Sequence, residues 1–241
     1  MLGVATCFLI CSPIAGRAML ALDPMYVQIG DFRVEDNGVG DMNLAPDFIQ
    51  FYTDSFFANY VIQGSLSQTI CADNGATNFA ELTLSELTIS STNGNDEYSG
   101  NIDFASSSFA PMPEFSNPTI SIDGYYDNRL GNDITGASTQ FQGYADGYTI
   151  GMLNPDSAAN QPGPVWFTSD GEPSIFPMPI TRLSGKLSFS LAGEGDEVNL
   201  PGSGHVVAGA LPDVPVPEPS ALAMFGATAL GLFGALRRKR S

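Results

Sequence analysis

"LSGKLSFSLAGEGDE" occupies residues 183–197, and its pattern decides the fold class. Leu187, Phe189 and Leu191 fall at every second position, with Ser188, Ser190 and Ala192 between them. Successive side chains of a strand point to opposite faces of a sheet, so this spacing predicts a strand with one apolar and one polar face. "GEGDE" at 193–197 then supplies the small and acidic residues of a tight turn. The same unit recurs outward along the chain. Turn signals stand at 36–41 ("DNGVGD"), 72–76 ("ADNGA"), 92–96 ("TNGND"), 122–128 ("IDGYYDN"), 144–148 ("YADGY") and 168–173 ("TSDGEP"). Ile120 and Ile122 alternate between them, as do Tyr144, Tyr148 and Ile150. Short period-two runs separated by regular turns predict an all-β domain, an antiparallel β-sandwich of jelly-roll-like type.

Two stretches resist a simple reading. In "FAELTLSELTI" (79–89), Leu82 and Leu84 share one phase while Leu87 and Ile89 have slipped by one residue. A β-bulge between the pairs explains the slip, and a short helix is the competing assignment. "PDFIQFYTDSFFANYVIQ" (46–63) is apolar enough for core as either strand or helix. The 241 residues allow one domain of about 200 residues plus targeting segments. Hydrophobic residues make up 43%, enough for a core, whereas charged residues make up only 15%. Within 22–216 the basic residues are Arg33, Arg129, Arg182 and Lys186, set against every acidic residue except Glu218. Such a body is expected to repel nucleic acid and anionic lipid rather than bind them, and no nucleic-acid partner is expected.

Candidate chemistry in the body is thin. The single histidine, His205, sits in "GSGHVV" without a G-x-S-x-G elbow and is expected to be structural. Clustered His and Cys, as zinc requires, do not occur. "LSGKLS" (183–188) has Leu187 where a phosphate-binding loop needs Ser or Thr. Adjacent or nearby carboxylates are Glu35 and Asp36, Asp96 and Glu97, Asp123 and Asp127, and Asp196 and Glu197. A glycosidase would need two of these to converge in space. "NGNDE" (93–97) and "DGYYDNRLGND" (123–133) offer oxygen ligands for calcium without matching a known calcium loop, and no cofactor is expected. Tyr125, Tyr126, Tyr144, Tyr148 and Trp166 are candidates for a sugar-stacking face, or else for ordinary cross-strand pairs. Cys71 is the one cysteine of the body, so it is expected to be a small buried apolar side chain, with an intermolecular bridge as the alternative.

Both ends carry targeting features. Residues 1–21 begin with the uncharged apolar run "MLGVATCFLICSPIAG" and continue through Arg17 to small residues, the layout of a signal peptide. Residues 22–210 form the predicted β-sandwich, and 211–219 are a Pro-rich linker that cannot pair in a sheet. Residues 220–241 contain the charge-free run Ala221–Leu236, followed by Arg237, Arg238, Lys239 and Arg240. As a helix this run spans about 24 Å at ~1.5 Å per residue, a short single transmembrane segment beside the ~30 Å hydrocarbon core. The basic cluster orients it with the cytoplasm on its C-terminal side.

Pro217, Glu218 and Pro219, then the apolar run, then the basic cluster, resemble the PEP-CTERM sorting signal of certain Gram-negative bacteria. The resemblance covers about the last 26 residues, and all three parts stand in the expected order. It implies that Pro217, Glu218 and Pro219 are the recognition motif for an exosortase, a membrane protease-transpeptidase. It further implies passage through the secretion machinery, a transient stay in the cytoplasmic membrane, and delivery to the cell surface or beyond. Proteins with this tail are associated with exopolysaccharide and biofilm matrix. The expected function is therefore a non-enzymatic surface or matrix protein. The alternative is a secreted carbohydrate-binding or carbohydrate-active module, which an aromatic platform or two converging carboxylates would favour.

Overall fold

The computed structural model describes residues 23–53, 59–73, 75–92, 97–113, 116–173 and 175–209. The signal segment 1–21, the linker 211–219 and the tail 220–241 lie outside the described residues. So do Pro217, Glu218, Pro219, Arg237, Arg238, Lys239 and Arg240.

The described chain is all-β. Its strands are β1 (Tyr26–Ile29), β2 (Phe32–Glu35), β3 (Phe48–Tyr52), β4 (Tyr60–Asp73), β5 (Ala76–Ser91), β6 (Tyr98–Ala105) and β7 (Asn117–Asn128). They continue with β8 (Asp133–Ile134), β9 (Ala137–Ala145), β10 (Tyr148–Leu153), β11 (Gln161–Pro162), β12 (Val165–Asp170), β13 (Leu183–Leu191) and β14 (Asp196–Gly209). Two six-stranded antiparallel sheets form a sandwich, in the orders β10-β9-β13-β6-β1-β2 and β12-β7-β14-β5-β4-β3, and β8 pairs with β11 apart from them. Eight of these strands trace a jelly roll. β5 pairs with β14, the last strand, and β6 pairs with β13, the one before it. β7 and β9 then flank β14 and β13 on the far sides, with β12 and β10 outside them. This nested pairing of first with last is a rolled-up double Greek key. β1–β2 extend one sheet and β4–β3 the other.

Alternation drives the layering. β13 buries every second residue without a break, including Leu183, Leu187, Phe189 and Leu191. β7 and β9 do the same. Gly185 of β13 stands between Phe104 of β6 and Gly143 of β9. A Cβ there would meet Phe104 Cζ at 2.3 Å. The bare glycine lets the Phe104 ring lie over β13 and stack on Phe141, centroids 6.0 Å apart and planes inclined 20°.

The slipped phase in 79–89 is a bulge within one strand, not a helix. Leu82, Leu84, Leu87 and Ile89 are all buried. The extra residue is Glu86, whose φ of 52° is left-handed, and pairing with β4 shifts register between Gln63 and Ser65 there. The stretch 46–63 supplies β3 and the start of β4, with 54–58 outside the described residues.

Three expectations are corrected. "IDGYYDN" is the interior of β7, not a turn. Gly124 serves close approach there, since a Cβ would meet Asn199 O at 2.3 Å and Leu200 Cδ2 at 2.6 Å. Tyr144 and Tyr148 belong to different strands, separated by Asp146 and Gly147 at φ 46° and 82°, the two left-handed residues that a tight hairpin demands. Cys71, half-buried near the end of β4, is disulfide-bonded rather than a buried thiol.

Candidate functional site

Pairing register places six outward side chains in one line across the second sheet. Trp166 of β12 stands opposite Tyr125 of β7, and Tyr125 opposite Asn199 of β14. Asn199 faces Thr88 of β5, Thr88 faces Gln63 of β4, and Gln63 faces Tyr52 of β3. Each points outward because its chain neighbours point in: Phe167, Tyr126, Val198, Leu200, Leu87, Ile89, Ile62 and Phe51 are all buried. With strands ~4.8 Å apart, the row is about 24 Å long.

Aromatic rings mark its two ends. Trp166 is 68% exposed, and its ring centroid lies 4.7 Å from that of Tyr125 with the planes inclined 48°. Tyr52, at the opposite edge, is 45% exposed and borders a pocket of about 380 Å³ lined also by Met42, Gln50, Gln63 and Glu86. Asn199 is 8% exposed, so the row is low in the middle. Thr88 Oγ1 donates to Asn199 Oδ1 at 3.0 Å, and Asn199 Nδ2 donates to Glu197 Oε2 at 3.3 Å. Ser90 Oγ holds the other oxygen, Glu197 Oε1, at 2.6 Å. Exposed ring faces flanking amides and hydroxyls offer apolar surface together with donors and acceptors, a combination suited to a flat, hydroxylated ligand.

A second polar group lies two rows away. His205 Nδ1 is 2.8 Å from Glu81 Oε1 and 3.3 Å from Thr83 Oγ1, and its Nε2 contacts Ser203 Oγ. The order Ser203, His205, Glu81 is that of a nucleophile, a base and its orienting acid. Ser203, however, is buried, and the carboxylate of Asp123 lies against the adjoining Gly202.

Of the five aromatic candidates, only Tyr125 and Trp166 come together on an outer face. Tyr126 is buried against Phe167 at 4.7 Å and shares a 3.0 Å hydrogen bond with Thr139 Oγ1; burial pushes its phenol pKa above the ordinary value. Tyr144 and Tyr148 belong to the other sheet, the former donating to Gln142 Oε1 and the latter packed on Phe176.

The acidic pairs also separate. Asp196 is buried while Glu197 faces outward. Asp123 and Asp127 are four residues apart on one strand, about 13 Å at ~3.3 Å per residue. Asp127 does lie directly across from Glu197. Their carboxylates turn to separate partners, Asp127 Oδ1 to Asn128 N at 2.8 Å and Glu197 to Ser90 and Asn199. Among the described residues, no three His, Cys, Asp or Glu converge as metal ligands, and most of "NGNDE" lies outside them. Tyr52, Gln63, Thr88 and Asn199 escaped the sequence reading, because a row across strands exists only once register is known.

Comparison with known proteins adds one firm identification. No curated protein is similar in sequence. Among solved structures, the enzymatically active domain of tailspike protein 4 of bacteriophage CBA120 is similar at 13% identity and TM-score 0.25, over 64% of this chain and 20% of that one. A structure on the promiscuous specificity of carbohydrate-binding modules from the β-sandwich superfamily is similar at 8% identity and TM-score 0.23, over 78% of this chain and 84% of that one. Both likenesses are too distant to carry a functional argument. Residues 215–240 match the family described as the PEP-CTERM protein-sorting motif. The chain thus bears a PEP-CTERM protein-sorting motif, which implies an exported, sorted protein processed by an exosortase.

Proposed function

We propose that this is a non-enzymatic surface or extracellular-matrix protein of a Gram-negative bacterium, and that its sandwich holds matrix exopolysaccharide on the outer face of the second sheet. The observation that carries the reading is the row from Trp166 to Tyr52, with exposed rings at its ends and hydrogen-bonding side chains between. Pyranose rings present an apolar face for stacking and equatorial hydroxyls for amides and hydroxyls to bind. Binding joins the two functional alternatives left by the sequence, because a sorted matrix protein with such a face is a matrix cross-linker.

The test uses the processed protein and polysaccharide extracted from the producing cells. Calorimetry should detect binding, and Trp166→Ala should weaken it about tenfold. That figure corresponds to an indole losing roughly 60 Å² of apolar exposure on contact, at ~25 cal/mol/Å². The bound polysaccharide should keep its chain length on prolonged incubation. Equal binding by wild type and Trp166→Ala would refute the placement of the site, and shortening of the glycan would refute the non-enzymatic role.

A further inference from the structure

Acidic side chains outnumber basic ones around the aromatic row. The six strands of its sheet contain no lysine or arginine. Glu86 lines the pocket at the Tyr52 end, and Glu197 holds Asn199 at the centre. Asp127 lies across from Glu197 and two residues along β7 from Tyr125, with Asp123 two residues along in the other direction. His205, the one histidine, is held against Glu81. Arg33, Arg182 and Lys186 belong to β2, to the segment entering β13 and to β13 itself, all associated with the other sheet, whereas Arg129 is exposed immediately after β7.

From this we propose that the row selects an amino-sugar glycan, a hexosamine polymer carrying free ammonium groups, and rejects uronic-acid polymers. The inference rests on the polysaccharide-binding reading above and adds the chemical class of its ligand. Two independent features of the face favour a cation. Carboxylates beside the row attract ammonium groups at short range. The electron-rich faces of Trp166 and Tyr125, and of Tyr52 at the far end, attract the same charge through their quadrupoles. A uronate chain laid along the same line would set its carboxylates against Glu86, Glu197 and the β7 aspartates, with only Arg129, just past the end of β7, to offset them. An N-acetylated chain would keep the stacking and lose the ionic contacts.

The experiment titrates the processed, full mature protein by calorimetry at mildly acidic pH, where sugar amines are protonated. The probes are oligomers of glucosamine, N-acetylglucosamine and galacturonate of equal length. The expected order is glucosamine first, by about fivefold to tenfold over N-acetylglucosamine, from two or three exposed ionic contacts. Galacturonate should come last. The preference should collapse near 1 M salt, where the Debye length is ~3 Å. Trp166→Ala should lose glucosamine binding although its net charge is unchanged, and Glu86→Gln with Glu197→Gln should shrink the preference for glucosamine over N-acetylglucosamine. Galacturonate binding as tightly as glucosamine would overturn this inference and leave the polysaccharide-binding reading intact. Glucosamine binding that ignores Trp166 would overturn it as bulk attraction to an acidic protein. Absence of binding by every oligomer and by the native polysaccharide would instead remove the underlying reading.

Discussion

Asp196 is the most consequential buried polar group of the sandwich, and its removal should be costly in a calculable way. It is fully buried at the start of β14. Its Oδ1 accepts from Asn128 Nδ2 at 3.0 Å and Thr135 N at 3.2 Å, and its Oδ2 accepts from Gly136 N at 3.0 Å and Thr135 N at 3.2 Å. Those donors come from the end of β7 and the link from β8 to β9, so one carboxylate ties two parts of the jelly roll to the β13–β14 turn. Asn128 extends the clamp, donating to Glu194 O at 3.1 Å and accepting from Leu130 N at 2.9 Å.

Asp196→Ala strands two backbone N–H groups and one amide N–H. A buried donor without a partner costs about 1–3 kcal/mol. Asn128 keeps its bond to Glu194 O, which lowers its share, so the expected loss is about 3–5 kcal/mol. For a body of this size that corresponds to a fall in Tm of roughly 6–20 °C. Asp196→Asn keeps one acceptor oxygen and turns an NH2 toward a donor, so its loss should be smaller, about 2–3 kcal/mol. Urea unfolding followed by far-UV circular dichroism measures both. A loss below about 1 kcal/mol for the alanine variant would show that water or a rearranged turn satisfies the donors, and would refute the clamp.

Other expectations follow from single observations. Gly185→Ala should destabilise by about 1–3 kcal/mol in the same urea assay, because its methyl would enter the Phe104 ring that stacks on Phe141. Asp36 has its pKa raised, chiefly by burial and then by Asp47 and Asp41, against the lowering effect of its bond from Asp47 N. A folded-state carboxyl that holds its proton more tightly than the unfolded one makes stability fall as pH rises through the carboxylate range. Asp36→Asn should therefore be the more stable protein at neutral pH, with the advantage vanishing in acid; an advantage that persists in acid would contradict that account. Pro217→Ala combined with Glu218→Ala should leave the protein in the membrane fraction of cells that hold the processing enzyme, and unchanged release would rule the motif out as the recognition element.

The sandwich was legible because the environment of a strand residue depends mainly on its parity. Leu187, Phe189 and Leu191 announce β13 without knowledge of any partner, and the one-residue slip between Leu84 and Leu87 announces the bulge at Glu86. Misreadings arose where one local signal serves two purposes. Asp123-Gly124 has the composition of a turn, yet Gly124 is bare because Asn199 O and Phe167 crowd it from neighbouring strands. Tyr125 and Tyr126 are adjacent and look alike, but parity sends one to the surface and the other into the core. Trp166 and Tyr125 could be suspected from their type. Tyr52, Gln63, Thr88 and Asn199 could not, since nothing within about ten residues of each names its neighbour across the sheet.

Fold and candidate site meet at Glu86. If β5 ran as a regular strand through Glu86, either Leu82 and Leu84 or Leu87 and Ile89 would face solvent, because a slip of one residue moves every later side chain to the other face. The left-handed Glu86 absorbs the slip, and the core keeps both pairs. The same insertion fixes Thr88 outward, opposite both Asn199 and Gln63. It also turns the Glu86 carboxylate toward the pocket beside Tyr52. Deleting Glu86 is then a sharper probe than substituting it. Leu82, Leu84, Leu87 and Ile89 would share one parity and the core would retain them. On β4 two steps separate Ser65 from Gln63 while three on β5 separate Ser85 from Thr88, so the deletion closes the ladder and leaves Thr88 opposite Gln63. The expected variant is folded, with far-UV circular dichroism like the wild type, and still binds polysaccharide, having lost only the Glu86 side chain from the pocket beside Tyr52. A deletion variant that fails to fold would refute the account of Glu86 as the residue that takes up the slip.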